Sequence, residues 1–302
     1  MTSKFHIICD QDNARIDLYL SEKLGLPRSQ VKGLIENGRV LVDGKAPKPS
    51  LKTKNGAVVE GEIPKEEPSL LLAEDIPVTL LYEDDYLLVI DKPKDMVVHP
   101  SAGHRKGTLV NAVLNYVKES DREDDDRPGI VHRLDKGTTG VIIIAKDRKT
   151  QEILSSQFHE RTVQKVYRVV VEGTLRFEQG FVEGLIGRHP RERKKMAMVQ
   201  KGGRNSFSEY RVLERLKGFT YVEVYPKTGR THQIRVHLAH IGHPIVGDEL
   251  YGRQAKRLTD RPLLHAHRIS FDHPATGERI TVEARVPEDL EKFVEKQRKT
   301  VE

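Results

Sequence analysis

The stretch GIVHRLDKGTTGVIIIAKD, residues 129–147, constrains the fold more than any other part of the chain. Val141–Ala145 is an unbroken apolar run, far short of the ~20 residues that span a bilayer, and a glycine-rich bend precedes it. Such a run predicts a buried strand. Gly137, Thr138 and Gly140 permit a tight turn, which puts Asp135 at the mouth of a sheet beside His132, Arg133 and Lys136. A loop on the end of a rigid strand is a good mount for a reactive group. Arg133 and Lys136 favour the ionised carboxylate. Two readings follow: a loop acid neutralised by its neighbours, or a carboxylate aimed at a substrate that the cations attract.

From residue 78 onward the chain reads as a succession of strands. YLLVIDKP (86–93) is an apolar run closed by Pro93, and KVYRVVVEG (165–173) alternates Tyr167, Val169 and Val171 on one face. FTYVEVYP (219–226) is a further strand, and 268–286 reads as a hairpin followed by a closing helix in PEDLEKFVEKQRK. TLVNAVLNYV (108–117) reads as helix, as does the segment after Asp147, an N-cap. The predicted class is α+β, with a large mixed, mainly antiparallel sheet and helices, preceded by a small α/β domain.

That small domain is expected over 12–66. Ile16, Leu20 and Leu24 share a helical face that Gly25 stops. Ser29 is a cap for a second stripe, Val31, Leu34 and Ile35, which ends at Asn37-Gly38. Val40 and Val42 alternate up to an Asp43-Gly44 turn. Prolines bracket charges in PKEEPSLLLAEDIP, so 67–77 is expected to be a linker and 78–302 the larger domain. Asp121–Arg127 holds five acids in seven residues and reads as a surface loop.

Lys and Arg total 51 against 45 Asp and Glu, a net charge of +6, which favours a polyanionic partner. The helices of the small domain carry Arg15, Arg28, Lys32 and Arg39. The densest basic stretch, RHPRERKKMAMVQKGGR (188–204), sets seven Lys/Arg, among them Arg193, Lys194 and Lys195, against one Glu. It reads as a disordered loop or a flexible arm that neutralises phosphates. Cys9 is the single cysteine, so neither an intramolecular disulfide nor a cysteine-based zinc site is available, and no disulfide-linked partner is expected. The opening MTSKFHIICD has no apolar stretch long enough for a signal peptide, so a soluble, unanchored cytoplasmic protein is expected.

In YPKTGRTHQIRVHLAHIGHPIVGDELYG (225–252), Thr231 is placed to cap a helix whose apolar face is Ile234, Leu238 and Ile241. Its N-terminus, with Lys227 and Arg230, suits an anion. His232, His237, His240 and His243 lack the spacing and the carboxylate of a helical metal site, so no metal is expected. No G-x-x-x-x-G-K-[ST] loop is present. Tyr167 is either a core aromatic or a platform on which a base stacks.

HRLDKGTTG resembles the signature of the pseudouridine synthases, specifically the large-subunit ribosomal RNA group. VIDKPKDMVVHP, KVYRVVVEG and TGRTHQIRVHLAHIGHPIVGDELYG resemble its other blocks, in the family's order. Residues 12–62 resemble the RNA-binding module first seen in a small-subunit ribosomal protein. The likeness runs over roughly 12–290; Thr139 departs from it, where the family usually has serine. The resemblance implies an RNA isomerase without cofactor, in which Asp135 is the essential carboxylate and Arg230 pairs with it. Tyr167 would stack on uracil and act as base in the last deprotonation, and Arg133 would help displace the flipped nucleotide. Large-subunit ribosomal RNA, in a pre-ribosomal particle or free, is the implied partner, with Lys136 and the basic residues above as RNA contacts. A transfer-RNA isomerase, a binding-only ribosome-assembly factor and, last, a histidine-based metal hydrolase are the alternatives.

Overall fold

The computed structural model describes residues 2–26, 28–64, 71–99, 106–118, 128–192, 194–252 and 258–298. Contacts divide the chain into two units, Met1–Leu70 and Leu71–Glu302.

In the first unit, helices α1 (Ile16–Leu24) and α2 (Arg28–Glu36) accompany a three-stranded sheet of β1 (Thr2–Ile8), β3 (Val58–Pro64) and β2 (Val40–Val42), in that order. Ile16, Leu20, Val31, Leu34 and Ile35 form its core with Cys9, Val40 and Val59. The periodic positions read from sequence are thus the buried ones. Gly25 ends α1 in the left-handed conformation, φ 65°. Asp43 and Gly44 also have positive φ, 48° and 73°, and Val42 and Lys45 exchange backbone hydrogen bonds across them. That is the tight turn the Asp-Gly pair predicts. Two expectations are corrected. The unit starts upstream of residue 12, because β1 pairs along its whole length with β3. Ser29 lies inside α2, which begins one residue earlier.

In the second unit the strands are β4 (Thr79–Glu83), β5 (Leu87–Lys92), β6 (Thr139–Ala145), β7 (Gln164–Glu172), β8 (Gln179–Arg188), β9 (Met196–Val199), β10 (Arg204–Leu216), β11 (Phe219–Pro226), β12 (Leu264–Asp272) and β13 (Arg279–Glu283). They form one ten-stranded sheet, ordered β4-β5-β6-β12-β7-β11-β10-β8-β9, with β13 on β12. The β6–β12 pairing is parallel and the others are antiparallel. Every residue of β6 is buried, as its composition requires. It packs with Leu87–Ile90, Leu154, Ile269 and Phe271 in the larger core. Helices α3 (Leu109–Val113), α4 (Arg148–Glu160), α5 (Gln233–His240) and α6 (Glu288–Arg298) belong to this unit. Asp147 caps α4 by accepting the Thr150 amide at 2.8 Å.

Three further expectations change. Residues 188–204 are not a free arm: β8 and β9 close a hairpin through them, with the His189 amide on the Lys195 carbonyl at 3.0 Å. The expected linker is docked where it is described. Leu72 accepts from the Asn111 side chain at 2.8 Å, and the Glu74 amide donates to the Asn111 carbonyl at 2.9 Å. Thr231 does not cap α5; the cap is His232, in the left-handed conformation (φ 56°). Asp121–Arg127 lies outside the described residues.

Candidate active site

The bend before β6 is held by its backbone. The Thr138 amide donates to the Asp135 carbonyl at 3.0 Å, closing a turn over residues 135–138. Two buried cations then grip the following carbonyls. Lys92, with no exposed surface, donates to Pro93, Met96 and Lys136 at 2.8, 2.9 and 3.3 Å. Arg261 forks onto Asp289 at 2.6 and 2.7 Å and reaches the Gly137 carbonyl at 3.3 Å. Burial, and next the Arg261 charge, bring the Lys92 amine down to about 8. Gly140 lies in β6 rather than in the turn. Its φ is 109°, and a Cβ there would stand 2.1 Å from the Ala266 carbonyl oxygen, so the parallel neighbour β12 requires glycine. The Thr139 hydroxyl bonds His265 Nδ1 at 2.9 Å, a use for the hydroxyl that serine would retain.

The ion pair expected from Arg230 is made by Arg235. Arg235 Nη1 donates to Asp135 Oδ2 at 3.1 Å. Its Nε and Nη2 fork onto Asp248 at 2.7 and 2.8 Å, and Asp248 is fully buried. Asp248 also accepts the amides of Leu250 and Tyr251 at 3.0 and 3.2 Å, and the guanidinium lies 5.2 Å from the Tyr251 ring centroid. A bidentate, stacked arginine has little freedom, so Asp135 is aimed as well as neutralised. Arg230 instead donates from Nε to the Asn205 carbonyl at 2.9 Å.

His232 is the second group beside the carboxylate, with Nε2 3.8 Å from Asp135 Oδ2. The Tyr251 hydroxyl accepts the Met196 amide at 2.8 Å and lies 3.0 Å from His232 Nδ1. Tyr251 thus ties the His232 ring to β9 while the other ring nitrogen, Nε2, faces Asp135. Burial lowers the His232 pKa, and Asp135 opposes that shift. A non-glycine residue at positive φ is strained, and this one sits against the carboxylate.

Asp135 opens onto a cavity of about 510 Å³ whose wall includes Tyr167, Phe158, Ile234 and Leu264, a size suited to a small organic group. Among the lining residues Asp135 is the sole carboxylate. A second cleft, about 640 Å³, meets the same carboxylate from the side of Asp95, Lys136 and Arg261. Tyr167 is half-buried on β7; burial, and then the Asp135 charge, push its phenol well above the usual tyrosine range. Lys165, two residues away on the same face, is brought down to about 8 by burial. His132 stacks on Phe158 at 4.6 Å and accepts the Ile143 amide at Nε2, 2.9 Å. Burial holds it neutral, with a pKa of about 3.

The remaining sequence candidates fall into two groups. Arg133 is exposed and lines both clefts, and Lys136 lines the second. Arg15 and Arg28 both bind Asp17, which is 1 % exposed, at 2.9–3.1 Å. The Arg15 contact leads in bringing that carboxyl down to about 2. Lys32 faces Glu36 at 3.5 Å, and Lys195 faces Glu192 at 2.8 Å. Arg39 and Lys194 are exposed, and Arg193 lies outside the described residues. His237 pairs with Ser206 at 2.8 Å and His243 with the Glu172 carbonyl at 2.9 Å. Sequence reasoning missed Arg235, Asp248, His232, Lys92 and Lys165 as site groups. An arginine set between Ile234 and Val236 was the available signal for the first.

Residues 86–240 match the RNA pseudouridylate synthase family, and 14–59 match the S4 domain. An uncharacterized RNA pseudouridine synthase of Bacillus subtilis, YlyB, is 40% identical over 96% of this chain and 96% of its own length. Ribosomal large subunit pseudouridine synthase D of Pseudomonas aeruginosa is 43% identical, over 87% of this chain and 85% of the relative. The solved structure of human RNA Pseudouridylate Synthase Domain Containing 1 superposes with a TM-score of 0.59 at 25% identity, covering 73% of this chain and 89% of that one. The fold, the anchored carboxylate loop and these likenesses agree: the chain belongs to the RNA pseudouridine synthases and carries an N-terminal S4 RNA-binding domain.

Proposed function

We propose that this protein converts uridine to pseudouridine in structured regions of large-subunit ribosomal RNA, with Asp135 as the group that acts on the ribose–uracil junction. One observation carries the reading: the sole carboxylate lining the cavity is held by Arg235, itself forked onto buried Asp248, and shares the cavity wall with Tyr167. The isomerisation breaks the bond from C1′ to N1 and forms one from C1′ to C5; the C5 proton departs and N1 gains one. Substrate and product are isomers, so the balance calls for no redox carrier or phosphoryl donor. Asp135, as nucleophile or base, opens the first bond. The detached uracil is anionic, and a cavity whose lining includes Arg133, Arg161, Arg204, Arg230 and Lys165 favours it.

The target base must leave its stack at a cost of a few kcal/mol. Stacking on Tyr167 offsets about 1–3 kcal/mol of that. The Tyr167 phenol is protonated at neutral pH, so it takes the C5 proton only as it passes its own onward. Ribosomal RNA as target rests on the large-subunit relatives and on the S4 domain.

The test is tritium release from a large-subunit ribosomal RNA transcript labelled at uracil C5. The full chain is expected to release tritium to water; Asp135→Ala is expected to release none while binding the transcript within about threefold of wild type. Release by the Asp135→Ala protein would remove the carboxylate from its assigned role. Binding without release by wild type would favour an assembly factor instead.

A further inference from the structure

Three arginines from three separate elements meet at the edge of the same cavity. Arg161 follows the last turn of α4, Arg204 opens β10, and Arg230 precedes α5. Among the described residues none of the three takes part in an ion pair with a carboxylate. The Arg230 bond to the Asn205 carbonyl uses Nε and leaves both Nη groups without a hydrogen bond among the described residues. Burial lowers the Arg230 pKa, and the charges of Arg204 and Arg161 lower it further, so Arg230 feels both of the others. Like charges gathered without a counter-charge lack an internal purpose and match an external anion.

Arg161 adds an independent sign. It occupies the C-terminal cap of α4 in the left-handed conformation, φ 65°, where glycine is the unstrained residue. Its side chain is exposed and lines the cavity. The alternative is a purely local role, a cation favoured by the dipole at a helix C-terminus.

We propose that Arg161, Arg204 and Arg230 form a phosphate site that holds one backbone phosphate of the RNA beside the everted nucleotide and so contributes binding rather than rate. The proposal rests on the isomerase reading for the identity of the RNA, but not for the existence of the anion site. Guanidinium groups suit this task because their planar donors match phosphate oxygens in pairs. Such a backbone contact adds affinity and carries no sequence information.

The test uses the full chain and the C5-tritiated large-subunit transcript. Arg161→Gly removes the side chain and suits the backbone, so the melting temperature is expected not to fall; KM is expected to rise roughly tenfold with kcat within about twofold. Arg204→Gln is expected to act alike, and Arg204→Lys to recover most of the loss. The slope of log affinity against log salt should shrink by about 0.7 for each lost contact on single-stranded RNA. Unchanged KM and salt slope in both Arg161→Gly and Arg204→Gln, with folding intact, would overturn the site. If wild type binds RNA but releases no tritium, the isomerase reading fails, and the salt slopes still judge the phosphate site.

Discussion

The two basic regions of the chain use their cations differently. In the N-terminal unit Arg15 and Arg28 converge on buried Asp17, Lys23 pairs with Asp10 at 2.6 Å, and Lys32 pairs with Glu36. Around the cavity, Arg133, Arg161, Lys165, Arg204 and Arg230 have no carboxylate partner among the described residues, and the one acid present is engaged by Arg235. The sequence does not show which cations are paired. Charge committed to an internal acid contributes to folding; charge left over is available to a ligand. The comparison predicts that RNA affinity depends more on the cavity rim than on the helices of the small unit.

The largest expected effect breaks the cavity itself. Arg235→Ala would leave Asp248 buried and unpaired and Asp135 unaimed. Stability should drop by about 3–5 kcal/mol, read by urea unfolding, and tritium release should vanish even under conditions where the variant is folded. A stable, active Arg235→Ala protein would mean that the Asp135–Arg235–Asp248 chain is incidental. Next comes Tyr167→Phe, which keeps the ring and loses the hydroxyl. Its kcat should fall by about 10²–10⁴ with RNA affinity nearly unchanged; equal losses of both would reduce Tyr167 to a packing residue.

A smaller effect separates the two regions by pH. Lys165 has its pKa lowered to about 8, so it is charged below that value and neutral above it. RNA affinity of the full chain should therefore decline a few-fold as pH rises through 8, and Lys165→Arg should flatten the profile. In the small unit, Arg28→Gln should change affinity by less than about twofold while lowering stability by about 1 kcal/mol or less. If Arg28→Gln costs more affinity than Lys165→Gln, the comparison is reversed.

Much of this was legible in the sequence, for physical reasons that also explain the failures. Apolar spacing identified α1, α2, β6 and β7, because each has one or two well-defined buried faces. The Asp147 cap and the Asp43-Gly44 turn were visible because their chemistry is local. Strand β1 was missed because SKFHIIC gains its order from β3, whose paired residues lie 50 to 62 positions further along the sequence. The hairpin at 188–204 was hidden by its charge, although its backbone pairs normally. The exchange of Arg230 for Arg235 has the same origin. The wheel drawn from Ile234, Leu238 and Ile241 puts Arg235 off the apolar face, but α5 is buried on nearly all sides from Gln233 to Leu238. A helix enclosed in this way does not reveal its functional side by periodicity. Asp248, which makes a buried arginine tolerable, is thirteen residues further on and has no local signature.

The central claim is that Asp135 meets an everted uridine lying on Tyr167. It is tested most directly by a crystal structure of the full chain bound to RNA whose target uridine carries fluorine at C5, which blocks proton loss there. The account predicts the nucleotide in the cavity, its ring against Tyr167 and an Asp135 oxygen within about 3.5 Å of its ribose or base. A target uridine still stacked in its RNA helix, with Asp135 contacting only Arg235 and solvent, would contradict it.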